Sequence, residues 1–133
     1  ALALGVDLNP GARNLFVLPG VADNLQFADG VFRHVYTNIV DHLTDVRAFA
    51  AEAHRVLGDG GRLWVDLGVP PAGAGVGTFE VRNLRDEVID FEQNVSTHFD
   101  IIDSRTGEGN PFYEREIFYT FRRRAKVSDV LEA

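Results

Sequence analysis

Between residues 46 and 57 the apolar side chains Val46, Phe49, Ala50, Ala53, Val56 and Leu57 recur at the spacing of one face of an α-helix, and a strand-like run, RLWVDL at 62–67, follows a DGG turn. An amphipathic helix needs a second layer against which to bury that face. With VFRHVYT at 31–37 ahead of it, the stretch reads as strand, helix, strand, which commits the chain to a sheet with helices packed on it. Both helix ends are marked. Thr44 or Asp45 can accept from the free N–H groups of the first turn, and Gly58 stands where a left-handed residue often closes a helix.

The flanks extend the pattern. Residues 2–8 form an apolar run closed by Asp7 and the breakers Asn9, Pro10 and Gly11, read as a buried strand ending in a turn. NLFVL at 14–18 is a second strand, stopped by Pro19 and Gly20, and Ala28, Asp29 and Gly30 turn into the strand at 31–37. Beyond it, VPPAGAGVG at 69–77 is too rich in Pro and Gly for regular structure. Residues 83–94 carry Leu84, Val88 and Phe91 at helical spacing; strands at 99–103 and 113–122 follow as an antiparallel pair, with Gly107, Gly109, Asn110 and Pro111 turning between them. In EREIFYTFRR apolar and charged residues alternate, so one face of the last strand is buried, and Trp64 and the aromatics of that strand are expected in the core. The expected fold is an α/β layer sandwich. At 133 residues, 45% of them apolar, a single domain over 1–133 can bury roughly two thirds of its unfolded surface.

A formal charge of -7 repels phosphate backbones and anionic lipid, so neither nucleic acid nor a membrane surface is an expected partner. The short basic run Arg122, Arg123, Arg124 is read as a strand end in solvent. Without Cys there is no disulfide framework, thiolate zinc site or thiol nucleophile, and a cytoplasmic setting is compatible. No apolar run reaches membrane-spanning length. His34, His42, His54 and His98 show no dense ligand spacing, so no metal site is expected; His54 is read as a solvent-facing helix residue, while His34 sits oddly in a strand expected to be central. Ser96, Ser104 and Ser128 lack the elbow that exposes a hydrolase nucleophile.

Asp7 closes its strand where open α/β sheets bind ligands, and its two oxygens can accept both hydroxyls of a ribose. Downstream, LPGVADNLQFADGVF, YTNIVDHLTD and HRVLGDGGRLWVDL follow in that order. The set, over residues 5–67, resembles the class I S-adenosylmethionine-dependent methyltransferases, in particular the common small-molecule type. The resemblance implies a Rossmann-like methyltransferase sheet, mostly parallel with an antiparallel C-terminal strand, followed by a flexible loop at 68–78 beside the substrate entrance. Residues 79–124 would supply the C-terminal helix and the antiparallel pair.

In that family the second strand ends in an acid that holds the cofactor ribose, and a loop of pattern GDxxxLxFxDxSF passes the adenine. The fourth strand ends near the methyl group, and a helix ending RVLxPGG leads into the fifth. Carried over by position, Asp7 and Leu8 would meet the ribose and Ala22 and Asp23 the adenine of S-adenosylmethionine, while Asn38 and Ile39 would face its sulfonium side. His42 would sit near a small-molecule substrate as the candidate base, with Asp41 a poorer one. Among the departures from the pattern, Asp59 stands for the Pro of RVLxPGG, Val21 for the Asp after the loop Gly, and Arg33 for the acid after Phe32. The family also places a Gly-rich loop after its first strand, which lies between the second and fourth in the sheet, and nothing ahead of Asp7 supplies either. The expectation is a fragment or a truncated gene, whose sheet has a gap or a rearranged pairing. The alternative is a catalytically inactive interaction module of the same fold. A nucleotide-binding oxidoreductase built on GAGVG at 73–77 is disfavoured, because Pro70 and Pro71 separate those glycines from the strand end.

Overall fold

A computed structural model describes residues 3–7, 17–40, 43, 45–69, 91–108 and 115–125. Its elements are β1 (Gly5–Asp7), β2 (Val17–Pro19), β3 (Phe32–Thr37), α1 (Val46–Val56), β4 (Leu57–Val69), β5 (Phe99–Glu108) and β6 (Arg115–Arg123), with residues 91–96 also helical. β1 and β2 pair in parallel as a two-stranded sheet, and the other four strands form a second sheet in the order β3-β4-β6-β5. There β3 is parallel to β4, and β6 is antiparallel to both β4 and β5, so β6 alone runs against its neighbours. The expected mixed α/β sheet is therefore present. Among the described residues no ladder joins β1 to β3.

Helix α1 forms where the apolar period places it. The Asp45 carboxylate caps it by accepting from Ala48 N at 3.0 Å. The other end departs from expectation. The chain leaves α1 through an extended Leu57, whose N–H donates to the Ala53 carbonyl, and it is Gly60, not Gly58, that adopts a positive φ of 70°. The DGG segment thus lies inside β4, where the register with β3 jumps from Phe32↔Leu57 to His34↔Arg62. A bulge absorbs the extra residues and leaves the left-handed turn to a residue without a Cβ. Likewise β5 runs through Gly107, which pairs with Glu116 and does not turn.

The alternation in β6 places Ile117, Tyr119 and Phe121 on the buried face. There they meet Leu63, Val65 and Leu67 of β4, Phe49, Ala50 and Ala53 of α1, and Phe91 and Val95 of the 91–96 helix. Phe91 packs on both Tyr119 and Phe121, with ring centroids 5.4 and 6.0 Å apart. Both helical segments cover this one face. The other face carries Tyr36, Trp64, Ile102 and Phe118, all exposed. Trp64 and Phe118 are thus not core residues as expected: each sits one residue out of phase with the buried side chains of its strand.

Four further expectations change once the neighbours are known. Among the described residues β3 lies at the edge of its sheet, and His34 has the parity of exposed Tyr36; it accepts from Trp64 Nε1 at 3.2 Å. His54 is buried, with Nε2 2.8 Å from the Arg124 carbonyl oxygen and its ring against those of His98 and Phe99. Arg123 keeps the parity of Ile117, Tyr119 and Phe121 and is buried, donating from Nε to the His54 carbonyl at 3.0 Å and from Nη1 to Asp59 at 3.1 Å. Only its neighbours match the solvent reading, Arg122 exposed and Arg124 pairing with Asp100 at the surface. The first strand, expected to be buried, is three residues long and half-buried, with Leu4 exposed ahead of it. A two-stranded sheet offers it few neighbours. Of the loop expected at 69–77 and, by resemblance, 68–78, Gly68 and Val69 belong to β4 instead; residues 70–78 and residues 83–90 of the second helix lie outside the described residues.

Candidate functional site

The parallel strands set the site's geometry. β1 and β2 end in register, Asp7 opposite Pro19, and Gly20 N donates to the Asp7 carbonyl at 2.9 Å. The exposed Asp7 and the start of the following loop therefore share one edge. A Cβ on Gly20 would lie 2.8 Å from Val6 Cγ1 and 2.7 Å from Gln26 Oε1, so only glycine lets the loop cross β1 this closely. Val21 bridges Asn24, Gln26 folds back to donate to the Pro19 carbonyl at 2.9 Å, and the turn between them presents half-buried Ala22 and exposed Asp23. Ala22 packs against the main core cluster, which ties this loop to the larger sheet.

At the carboxyl end of β3 the buried Thr37 accepts from Ile39 N through Oγ1 at 3.3 Å, and Leu43 N donates to the Val40 carbonyl at 3.1 Å. The turn so formed leaves Asn38 and Ile39 exposed. The structure thus brings Asp7, Ala22 and Asp23 together and sets Asn38 and Ile39 at the end of another parallel strand; Leu8, Asp41 and His42 lie outside the described residues.

Sequence reasoning missed the residues that hold the loop. Glu52 Oε2 accepts from Leu25 N at 2.7 Å. Arg55 donates to the carbonyls of Leu25 at 2.8 Å and Phe27 at 2.6 Å, and to Asp29 at 2.9 Å, while its Nε is held by Glu52 at 2.8 Å. Gly30 N returns a bond to the Arg55 carbonyl at 2.9 Å. The hydrogen bond from Arg55 holds the Glu52 carboxyl below its ordinary value against the effect of burial, and the Leu25 N–H adds to it. Glu52 and Asp29 in turn raise the Arg55 guanidinium above its own. The visible signal was an acid and a base three apart on a helix; their loop partners lie 26 to 30 residues upstream, where no periodicity reaches.

Two grooves are open elsewhere. One, of about 380 Å³, lies around the bulge at the amino end of β3, between Gly30 and Arg33 and the Gly58 to Arg62 segment. Ligands of open α/β sheets bind at the opposite, carboxyl ends. The other, of about 680 Å³, lies over the uncovered sheet face between Tyr36, Trp64 and Phe118. Partial desolvation, helped by Asp66 and Glu116, raises the Tyr36 hydroxyl above its ordinary value. Among the described residues there is no group of three or more metal-ligating side chains, and no helix is long and apolar enough to cross a membrane.

Solved structures share this architecture. The chain is similar to a proposed S-adenosylmethionine-dependent methyltransferase from Listeria monocytogenes, at 11% identity and a TM-score of 0.68, over 94% of this chain and 82% of that one. It is also similar to a SAM-dependent methyltransferase from Methanosarcina mazei, at 13% identity and a TM-score of 0.61, over 83% and 68%. A third is the 1,6-didemethyltoxoflavin-N1-methyltransferase of Burkholderia thailandensis, seen with its substrate and S-adenosylhomocysteine, at 14% identity and a TM-score of 0.61, over 82% and 51%. At such identities the likeness establishes the fold: that of the class I methyltransferases. A family model described as "Methyltransferase domain" matches residues 2–65, which include Asp7, the loop after β2 and α1. That match spans just under half of the chain, and together with the shared fold it agrees with the resemblance to S-adenosylmethionine-dependent methyltransferases read from residues 5–67. A search of curated protein sequences found no match.

Proposed function

We propose that this chain binds S-adenosylmethionine at the carboxyl ends of β1, β2 and β3 and transfers its methyl group to a small-molecule acceptor. The observation that carries the reading is the shared edge of Asp7 and the loop from Gly20, locked by the Gly20 N to Asp7 carbonyl bond. The donor set fits the adenosyl half of the cofactor. Asp7 offers a carboxylate, an acceptor suited to two ribose hydroxyls, beside a loop whose half-buried Ala22 and exposed Asp23 can line a flat base. When bound, S-adenosylmethionine supplies an activated methyl group on a sulfonium, so the protein's task is chiefly to align donor and acceptor. Asn38 and Ile39, on a turn fixed by Thr37 and Val40, line the methyl-bearing side in this reading. His42 is the proposed base for an acceptor that must lose a proton, and residues 1–133 act as one cytoplasmic catalytic domain.

Support for a small-molecule acceptor comes from similar folds. The Burkholderia thailandensis enzyme is seen with 1,6-didemethyltoxoflavin, and a geranyl diphosphate C-methyltransferase from Streptomyces coelicolor is seen with geranyl diphosphate, both with S-adenosylhomocysteine. The test is calorimetric titration of S-adenosylmethionine and S-adenosylhomocysteine into this chain, and into the same chain preceded by a strand and glycine loop from a related protein. Binding to either form, weakened at least tenfold by Asp7→Ala, supports the reading. Folded protein that binds in neither form overturns it, and the inactive module takes its place.

A further inference from the structure

We infer that Glu52 and Arg55 of α1 are positioning residues that set the shape of the adenine-binding loop and, with it, the discrimination of the base; this rests on the cofactor reading above. The loop from Gly20 to Gly30 has two short turns of its own, the Val21 to Asn24 bridge and the turn at Asp29 and Gly30. Its remaining shape comes from α1. Arg55 grips two loop carbonyls and the Asp29 carboxylate, Glu52 takes the Leu25 N–H and holds Arg55, and Gly30 N bonds back to the Arg55 carbonyl. The T-shaped contact of Phe27 with Phe32, ring centroids 5.0 Å apart, closes the far end.

The latch lies beside the proposed site without entering it. It fixes residues 25–30, while Ala22 and Asp23, the pair offered to the base, sit between that clamp and the Gly20 crossing of β1. A loop anchored on both sides has few shapes open to the residues between. With Val21 in place of an acid there is no side-chain carboxylate at that position to accept from an exocyclic amine. Recognition of the base then depends on where loop backbone groups stand, which is what Arg55 governs. The planar fork of a guanidinium can hold two carbonyls and a carboxylate together, and an ammonium cannot hold the same set.

The experiment compares wild type with Arg55→Lys and Glu52→Gln, in whichever form of the chain binds S-adenosylhomocysteine. Each is titrated with S-adenosylhomocysteine and with its inosine analogue, whose base carries a carbonyl in place of the exocyclic amine and an N–H in place of the acceptor at N1. Amide exchange across residues 21–30 is followed in the ligand-free chain. The expected result is faster exchange at Leu25 and Gly30 with α1 unchanged, affinity for S-adenosylhomocysteine lowered at least tenfold, and a smaller preference for it over the inosine analogue. Asp7→Ala should lower both affinities alike and keep the preference.

Unchanged preference in both variants, with wild type binding, overturns the inference and leaves the cofactor reading intact. No binding by wild type in either form overturns the cofactor reading, and the adenine role of the latch falls with it, whatever the exchange data show. If Arg55→Lys fails to fold, Glu52→Gln carries the comparison. Should both lose their circular dichroism signal, the pair supports the whole domain and the loop-specific role is refuted.

Discussion

Replacing Arg123 with Met tests whether a buried cation at the end of the last strand supports the fold. The side chain is 4% exposed, and its Nε satisfies the carbonyl of His54 in the last turn of α1. Met keeps most of the apolar stem and removes the donor, so the loss is that of a charge-assisted hydrogen bond, about 1.5–3 kcal/mol, including the cost of leaving a buried carbonyl unpaired. The ion pair with Asp59 adds little, because Asp59 is 95% exposed and such pairs contribute about 0–1 kcal/mol. For a chain of this size about 1 kcal/mol corresponds to about 3–5 °C, so Arg123→Met should lower Tm by about 5–15 °C and Asp59→Ala by no more than about 5 °C. Thermal unfolding of both variants by circular dichroism gives the comparison. Equal losses would show that the ion pair, not the bond to the helix end, is the contact that matters; a Tm for Arg123→Met within 2 °C of wild type would refute the reasoning altogether, a threshold set by the size scaling above.

Burial lowers the His98 pKa below its ordinary 6.5, so the unfolded chain takes up the proton first as pH falls. Stability should therefore decline from pH 6.5 down to the folded-state value and then level off; Tm measured between pH 5 and 8 should show a slope that His98→Gln reduces. The Glu52 carboxyl, lowered mainly by Arg55, acts at more acid pH: its contribution is present above the ordinary 4.5 and fades as pH falls through the folded value, a step that Glu52→Gln should remove from an acid titration. Gly20→Ala should cost about 1–3 kcal/mol by urea unfolding, since a Cβ there meets the stiff Val6 side chain, and neutral behaviour would show that β1 can shift away. Asp7→Ala should leave the fold unchanged, its side chain being exposed, and weaken S-adenosylhomocysteine binding at least tenfold in the titration.

The elements legible in the sequence were those whose burial repeats along the chain. The stripe from Val46 to Val56 and the alternation from Ile117 to Phe121 each see one neighbouring layer, so their periods survive into the structure. What could not be read depends on which strand stands beside which. His34 looked misplaced on the assumption that its strand was central; among the described residues β3 is an edge, and an edge strand tolerates polar side chains. Trp64 and Phe118 looked like core by residue type alone, yet their parity puts them on the face that neither α1 nor the 91–96 helix covers. Arg123 shows the reverse. Parity alone would have placed it inside, but a guanidinium is buried only where it finds an acceptor, and that acceptor is a helix end 69 residues upstream.

The candidate site divides in the same way. The residues proposed for its chemistry were expected from their position in a pattern, whereas the groups that hold the loop were not. The departures from that pattern fall where the described structure uses the backbone or a neighbour. Val21 serves the loop through its carbonyl, which accepts from Asn24 N at 3.3 Å, so the turn does not require the missing acid. Arg33 is exposed on the edge strand, beside the register shift with β4. Asp59, in place of a proline, gives Arg123 an acceptor. Arg55 follows the pattern, and it is the side chain on which two loop carbonyls, Asp29 and Glu52 converge. If base recognition depends on loop shape, its sensitivity should track the clamp: a change at Arg55 should be felt more than one at the already altered position 21.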